Sequence, residues 1–268
     1  MTAASGFPQR IVCLTEETTE TLYRLGEDWR IVGISGFTVR PPRARREKPR
    51  VSAFTSARIE RIVALAPDLV LGFSDLQADI AAELVRAGIE VHVFNHRSVE
   101  DILRMIRTLG GVIGCQVKAQ ALVDELEAGL EQVRERAARL ARRPRVYFEE
   151  WDDPLISGIR WVSELIDLAG GEDCFPELAH QALGRNRIIA DPGEVPRRAP
   201  DIVLGSWCGK KFQPQRVAAR PGWDAIPAVR GGYVREIKSS LILQPGPAAL
   251  TDGVRAIQGV IEEWAASP

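Results

Sequence analysis

The chain has 268 residues, 45% hydrophobic and 26% charged, with a formal net charge of −1. That length holds two compact cores of about 100 to 130 residues each, and the composition excludes a disordered or collagen-like chain. With no excess of basic residues to neutralise phosphates, nucleic acid is not an expected partner.

No run approaches the roughly 18 apolar residues that a membrane-spanning helix needs, so no membrane insertion is expected. Met1 to Gln9 lacks a basic region followed by an apolar stretch, and no lipidation box is present. The sequence as it stands reads as cytoplasmic, or as periplasmic if a signal peptide has been removed. Cys13, Cys115, Cys174 and Cys208 show no CxxC spacing, which disfavours a disulfide framework and a structural zinc site.

In chain order, Arg10 to Leu14, Arg30 to Ile34, Asp68 to Gly72 and Glu90 to Phe94 read as buried strands. Helices are predicted over Thr18 to Leu25, Ala57 to Leu65, Leu76 to Ala87 and Val99 to Leu109. The alternation implies a mainly parallel, helix-covered sheet. The basic run of Arg40, Arg43, Arg45, Arg46, Lys48 and Arg50, broken by prolines, reads as a solvated loop.

From Cys115 to Arg142 there is no proline, and Leu122, Leu126, Leu130, Val133, Ala137 and Leu140 recur at helical spacing. One helix of about 42 Å is predicted, long enough to join two lobes. After Pro144, strands at Arg145 to Phe148, Asp201 to Leu204 and Tyr233 to Ile237 alternate with helices around Trp161 to Ala169 and Ala248 to Ala265. The expected organisation is an N-terminal α/β lobe over residues 1–113, a connecting helix over 114–143 and a C-terminal α/β lobe over 144–268.

Ala66-Pro67-Asp68-Leu69-Val70-Leu71-Gly72 is echoed by Ala199-Pro200-Asp201-Ile202-Val203-Leu204-Gly205, 133 residues on. The same offset carries Glu16-Glu17 onto Glu149-Glu150, each pair expected just after the first strand of its half. Two matches at one offset point to duplicated or pseudo-symmetric lobes. Ligands of open parallel sheets sit beyond the carboxyl ends of the strands. Those exits nominate Glu16, Phe73, Ser74 and His96 in the first half and Glu149, Trp151, Trp207 and Cys208 in the second, around a cleft between the lobes.

Four stretches resemble the periplasmic-binding-protein-like receptors for cobalamin and iron chelates, the class III type with two Rossmann-like lobes on one rigid helix. They are Arg10-Ile11-Val12 with Thr19-Glu20 and Leu25-Gly26; Val32-Gly33 with Pro41-Pro42; Ile59 to Val70; and Leu168-Ala169-Gly170-Gly171 with Phe175. The cobalamin branch looks closest. The resemblance implies a non-catalytic binding protein for a corrinoid or related metal chelate, with an ABC permease as partner if the chain is exported. It puts Phe54 and Phe73, with Phe37 nearby, where the cobalamin receptors carry aromatic residues against the corrin. It matches the acids that dock on the permease to Glu60 and Asp167. The second half departs from the pattern, offering Trp207-Cys208-Gly209-Lys210-Lys211 where the family's later tryptophan, acid and arginine are not found.

That glycine-lysine stretch has three residues between its glycines and Lys211 where a magnesium-binding hydroxyl is required, so nucleotide hydrolysis is excluded. Lys210 is a candidate contact for a ligand's polar rim, the alternative being a turn with solvated lysines. Cys208 reads as a ligand contact, a nucleophile or an inert thiol. Glu16, Glu17, Glu149 and Glu150 are oxygen donors to a ligand or ordinary helix-start acids. His92, His96 and His180 form no zinc motif. Phe37, Phe54 and Phe73 are expected on one side of the ligand, and Trp151 and Trp207 on the other, Trp207 having the alternative of a cap on the second lobe's core. The rivals are capture of a transition metal or siderophore-type chelate through Glu16, Glu149, Cys208 and His96, and a cysteine enzyme built on Cys208.

Overall fold

The structure, a computed structural model, describes residues 6–267. Its contacts gather into two compact units: the residues through His96 with Glu100–Glu125, and Arg97–Val99 with Leu126 onward.

The first lobe begins β1 (Ile11–Cys13), α1 (Glu16–Arg24), β2 (Ile31–Ser35), α2 (Ala44–Glu47), β3 (Arg50–Ser52) and α3 (Ile59–Ala64). It continues with β4 (Leu69–Phe73), α4 (Ala78–Arg86), β5 (Val91–Phe94) and α5 (Val99–Val112). The sheet order is β3-β2-β1-β4-β5 with every pair parallel, so all five strands exit at one end. Val12, Val51, Val70, Ile62 and Leu84 pack one core of this lobe. Fully apolar strands such as Ile11–Cys13 are what a sheet covered on both faces requires.

Next comes α6 (Gln116–Ala137), 22 residues or about 33 Å at helical rise. Residues through Glu125 belong to the first unit and those from Leu126 to the second. Leu122, Val123, Leu126, Leu130 and Val133 are its buried stripe. At its start, α5 lies so close that a Cβ on Gly110 would come within 2.2 Å of the Ala119 methyl. The helix stops five residues before the predicted Arg142. Leu140 leaves the helical path to pack on Gly170, whose absent Cβ would lie 2.7 Å from it.

The second lobe contains β6 (Arg145–Asp152), β7 (Leu155–Ser157), α7 (Arg160–Leu168), β8 (Glu172–Asp173), α8 (Pro176–Ala179), α9 (Glu194–Arg198) and β9 (Ile202–Gly205). It ends with α10 (Pro214–Ala218), α11 (Pro227–Arg230), β10 (Val234–Glu236), α12 (Ser239–Ile242) and α13 (Val254–Ala265), the last entered through a π-helical turn at Ala249–Gly253. Its sheet runs β10-β9-β6-β7, with β8 also on β6; only β7 is antiparallel. Tyr147, Phe175, Trp207, Phe212 and Trp223 dominate the core of this lobe.

The heptapeptide echo is structural. Ala66 and Ala199 both take left-handed backbone, at φ 45° and 44°. The aspartate two residues on ties the strand start to the lobe's first strand. Asp68 accepts from the Arg10 N–H at 2.8 Å and Asp201 from the Arg145 N–H at 2.8 Å. The glutamate echo is not structural. Glu16 and Glu17 open α1, whereas β6 runs on past Phe148 to Asp152, so Glu149 and Glu150 lie inside a strand. The basic run is likewise not one solvated loop: it contains α2 and the edge strand β3, and Arg40 and Arg43 are paired to Glu20 and Asp28 at 3.1 and 3.0 Å.

Candidate ligand-binding site

At the exit end of the first sheet, β2 delivers Ser35 and Phe37, β3 leads to Phe54, β4 ends in Phe73 and Ser74, and β5 leads to His96. Phe37 is 57% exposed, a large apolar ring left in water at the end where ligands of parallel sheets bind. Phe54 is half-buried. Phe73 is buried, and its ring meets the buried His96 imidazole edge-on at 4.9 Å.

Gln77, which sequence reasoning missed, organises two of these rings. Wholly buried, it accepts from the Phe73 N–H at 2.9 Å and donates to the Phe54 carbonyl at 2.8 Å. Ser74, at φ 66°, caps the following turn by accepting from the Leu76 N–H at 3.1 Å. The signal available was a lone amide one turn beyond a strand-ending Phe, a position from which a side chain can reach back to orphan backbone groups. Glu16 lies nearly buried under this face and accepts from the Ser35 hydroxyl at 3.0 Å; Ser35 in turn accepts from the Phe37 N–H at 3.1 Å. Burial pushes the Glu16 carboxyl up, only partly opposed by the Ser35 hydrogen bond. Glu17 is also buried and takes the Thr15 hydroxyl.

The exit end of the second sheet is built differently. Glu149 is fully buried and holds Arg220 in a two-pronged pair at 2.5 and 2.9 Å, while Trp207 Nε1 donates to it at 3.0 Å and Tyr147 Oη at 3.2 Å. Burial opposes the charge on Arg220, but the Glu149 hydrogen bonds and charge outweigh it and raise the guanidinium's pKa. Burial first, then the Glu149 charge, drives the Tyr147 phenol far above its ordinary value. The neighbouring Glu150 is held by the buried Arg187 at 2.7 and 3.0 Å. None of Arg220, Arg187 or Tyr147 was nominated from sequence.

Of the two readings for Trp207, a wall of the ligand slot or a cap on the second lobe's core, the burial of its ring fits the second. Trp207 is 3% exposed, in the core, with the Phe212 ring 4.9 Å away and edge-on. Gly205 is the reason: a Cβ there would lie 1.7 Å from the Phe212 ring, so only glycine lets the loop fold Phe212 back over the strand end. Trp151 is half-buried, its indole N–H bound to the Asp153 carbonyl at 2.9 Å. Lys210 pairs with Asp152 at 2.7 Å, its ammonium 5.3 Å from the Trp151 ring centre and 4.9 Å from that of Trp207. Cys208 is exposed, whereas burial pushes the thiols of Cys13 and Cys174 up to about 12.

Among the described residues no three His, Cys, Asp or Glu side chains are grouped to hold a metal ion. Of the expected metal-capturing set of Glu16, Glu149, Cys208 and His96, Glu149 is already committed to Arg220. No described helix is long and apolar enough to cross a membrane. Glu60 and Asp167 are both exposed, the latter paired with Arg143 at 2.6 Å.

The first sheet is wholly parallel and the second parallel but for β7, so each gathers its loops at one end, where open parallel sheets bind ligands. Residues 11–241 match the Periplasmic binding protein family, and the chain belongs to it. It is 26% identical over 269 aligned positions to an uncharacterized ABC transporter substrate-binding lipoprotein of Bacillus subtilis, covering 95% of this chain and 78% of that one. It is 24% identical to the vitamin B12-binding protein of Vibrio parahaemolyticus, over 93% of this chain and 88% of the relative. Its fold is similar to that of a periplasmic heme-binding protein of Roseiflexus sp. RS-1, with a TM-score of 0.79, 23% identity and coverage of 94% and 99%. As a member of this family the chain is a substrate-binding protein and not an enzyme.

Proposed function

We propose that this protein captures a corrinoid or a closely related planar metal chelate and hands it to an ABC permease. The observation that carries the reading is the first lobe's exit end, where the exposed Phe37 and half-buried Phe54 lie at the same sheet end as Phe73 and His96. Covering about 100 Å² of aromatic surface with a flat macrocycle is worth about 2 to 3 kcal/mol from dewetting alone. The vitamin B12-binding relative supports the ligand class, and the substrate-binding lipoprotein supports both the permease partner and a location outside the cytoplasm. In this reading Ser74, Trp151, Lys210 and Cys208 border the ligand, while Glu60 and Asp167 face the permease.

Titration with cyanocobalamin, cobinamide and heme, followed by calorimetry and visible absorption, tests the proposal. A corrinoid should bind with one-to-one stoichiometry at micromolar concentration or tighter. Heat and spectral change with neither corrinoid would overturn the corrinoid assignment, and binding of heme alone would replace the ligand while leaving the carrier role standing.

A further inference from the structure

The first lobe contains a cavity of about 430 Å³ whose lining includes Arg50, Arg58, Arg61, Gly36, Ser52 and Ser56. Its walls follow from backbone pairing. Ser52 and Ala57 form an isolated antiparallel bridge; the Ala53 N–H donates to the Ser56 carbonyl at 2.7 Å, the Arg58 N–H to Val51 at 2.9 Å and the Gly36 N–H to Ser52 at 2.7 Å. This tight turn folds the segment after β3 back along it. Arg58 and Arg61, one helical turn apart, are thereby set at the same cavity as Arg50.

No carboxylate lines the cavity. Among the described residues, Arg50, Arg58 and Arg61 have neither an ion pair nor a side-chain hydrogen bond, although Arg40 and Arg43 a few residues earlier are both paired. Three guanidinium groups around one small concavity repel each other, and each carries five N–H donors that fit tetrahedral or planar oxyanions. All three are solvent-exposed, so water and salt screen that repulsion and their donors stay open to an incoming anion. The volume is that of a metabolite site and exceeds what an inorganic phosphate fills. We infer that this cavity is an anion site for a small phosphorylated metabolite, with its phosphate on Arg50, Arg58 and Arg61 and the Ser52 and Ser56 hydroxyls beside it. The cavity adjoins the proposed chelate face, since Gly36 and Ala53 precede Phe37 and Phe54 in the chain, but the anion assignment does not rest on the chelate reading.

The test is calorimetric titration of the full chain in low-salt buffer with glycerol 3-phosphate and inorganic pyrophosphate, with glycerol and citrate as controls. Both phosphates should bind, glycerol should give no heat, and citrate, whose planar carboxylates suit paired but not triply converging guanidinium groups, should bind more weakly than either phosphate. Each of Arg50→Gln, Arg58→Gln and Arg61→Gln should weaken phosphate binding about tenfold or more, the scale of a lost charge-assisted hydrogen bond. Arg86→Gln removes an exposed charge elsewhere in this lobe and should change affinity less than about twofold, the residual effect of screened surface charge. Absence of heat with both phosphates on the unmodified chain overturns the proposal without recourse to any variant. So do unchanged affinities in the three pocket variants, an equal loss in Arg86→Gln, or citrate binding as tightly as the phosphates.

Discussion

The exit ends of the two sheets share an architecture and differ in what they do with their polar groups. In the first lobe, strand ends leave Phe37 in water and use uncharged donors and acceptors on Ser35 and Gln77 to hold their geometry. In the second, Glu149 gathers Arg220, Trp207 and Tyr147 into a buried hub, and Phe212 closes over it. A charged pair in the interior is costly to desolvate and costlier still to leave half-made. The difference teaches that pseudo-symmetry of sheets, marked here by the Asp68 and Asp201 ties, does not extend to the chemistry at their ends. One end keeps apolar surface available; the other spends its charges on its own integrity.

The sharpest way to break that comparison is Glu149→Ala. It should destabilise the second lobe by about 3 to 5 kcal/mol, because Arg220 is left as an uncompensated, largely buried charge. Urea unfolding monitored by tryptophan fluorescence reads this directly, and a loss under about 1 kcal/mol would mean that the hub is not a structural centre. Trp207→Ala should cost a comparable or slightly smaller amount, about 3 to 5 kcal/mol for a core indole. It should leave ligand affinity of the folded protein unchanged; a binding loss without a stability loss would return Trp207 to an open wall.

On the first lobe the expectation reverses. Phe37→Ala should reduce chelate affinity by about 1 to 2 kcal/mol while shifting stability by no more than about 0.5 kcal/mol, as for an exposed aromatic anchor. Paired calorimetric titrations and denaturation curves check both halves. Smallest is the effect of Glu16→Gln, which turns on pH. Because burial raises the folded-state carboxyl above its ordinary 4.5, that group favours the fold when protonated, and the contribution fades as pH climbs through the raised value. The variant should match the parent near pH 4 and exceed it at pH 7; a variant less stable at pH 7 would mean that the ionised carboxylate is the favoured form.

Much of this fold is legible in the chain because continuous apolar runs such as Leu69–Leu71 leave little choice but a buried parallel strand. The long helix shows in its leucine stripe. The edge strand β3 is hidden because Arg50-Val51-Ser52 carries a single apolar residue within a basic stretch, and β7 because an antiparallel return of three residues has too little period to detect. The site is less legible than the sheets. Which side of a strand exit a side chain occupies depends on how the next loop folds: the echo aims Trp207 outward, and Gly205 with Phe212 turns it in. Glu149 hides its role because its partner Arg220 lies 71 residues further along the chain.

Gly205 has one more consequence. The Phe212 ring occupies the volume that any side chain at that position would need, so the closure of the Ser206 to Lys211 loop hangs on one missing carbon. A single methyl there acts as a wedge. It would lift the aromatic lid, let water reach the Trp207 and Glu149 hydrogen bond beneath, and turn a sealed end of the second sheet into an open one by altering volume alone, with no change of charge.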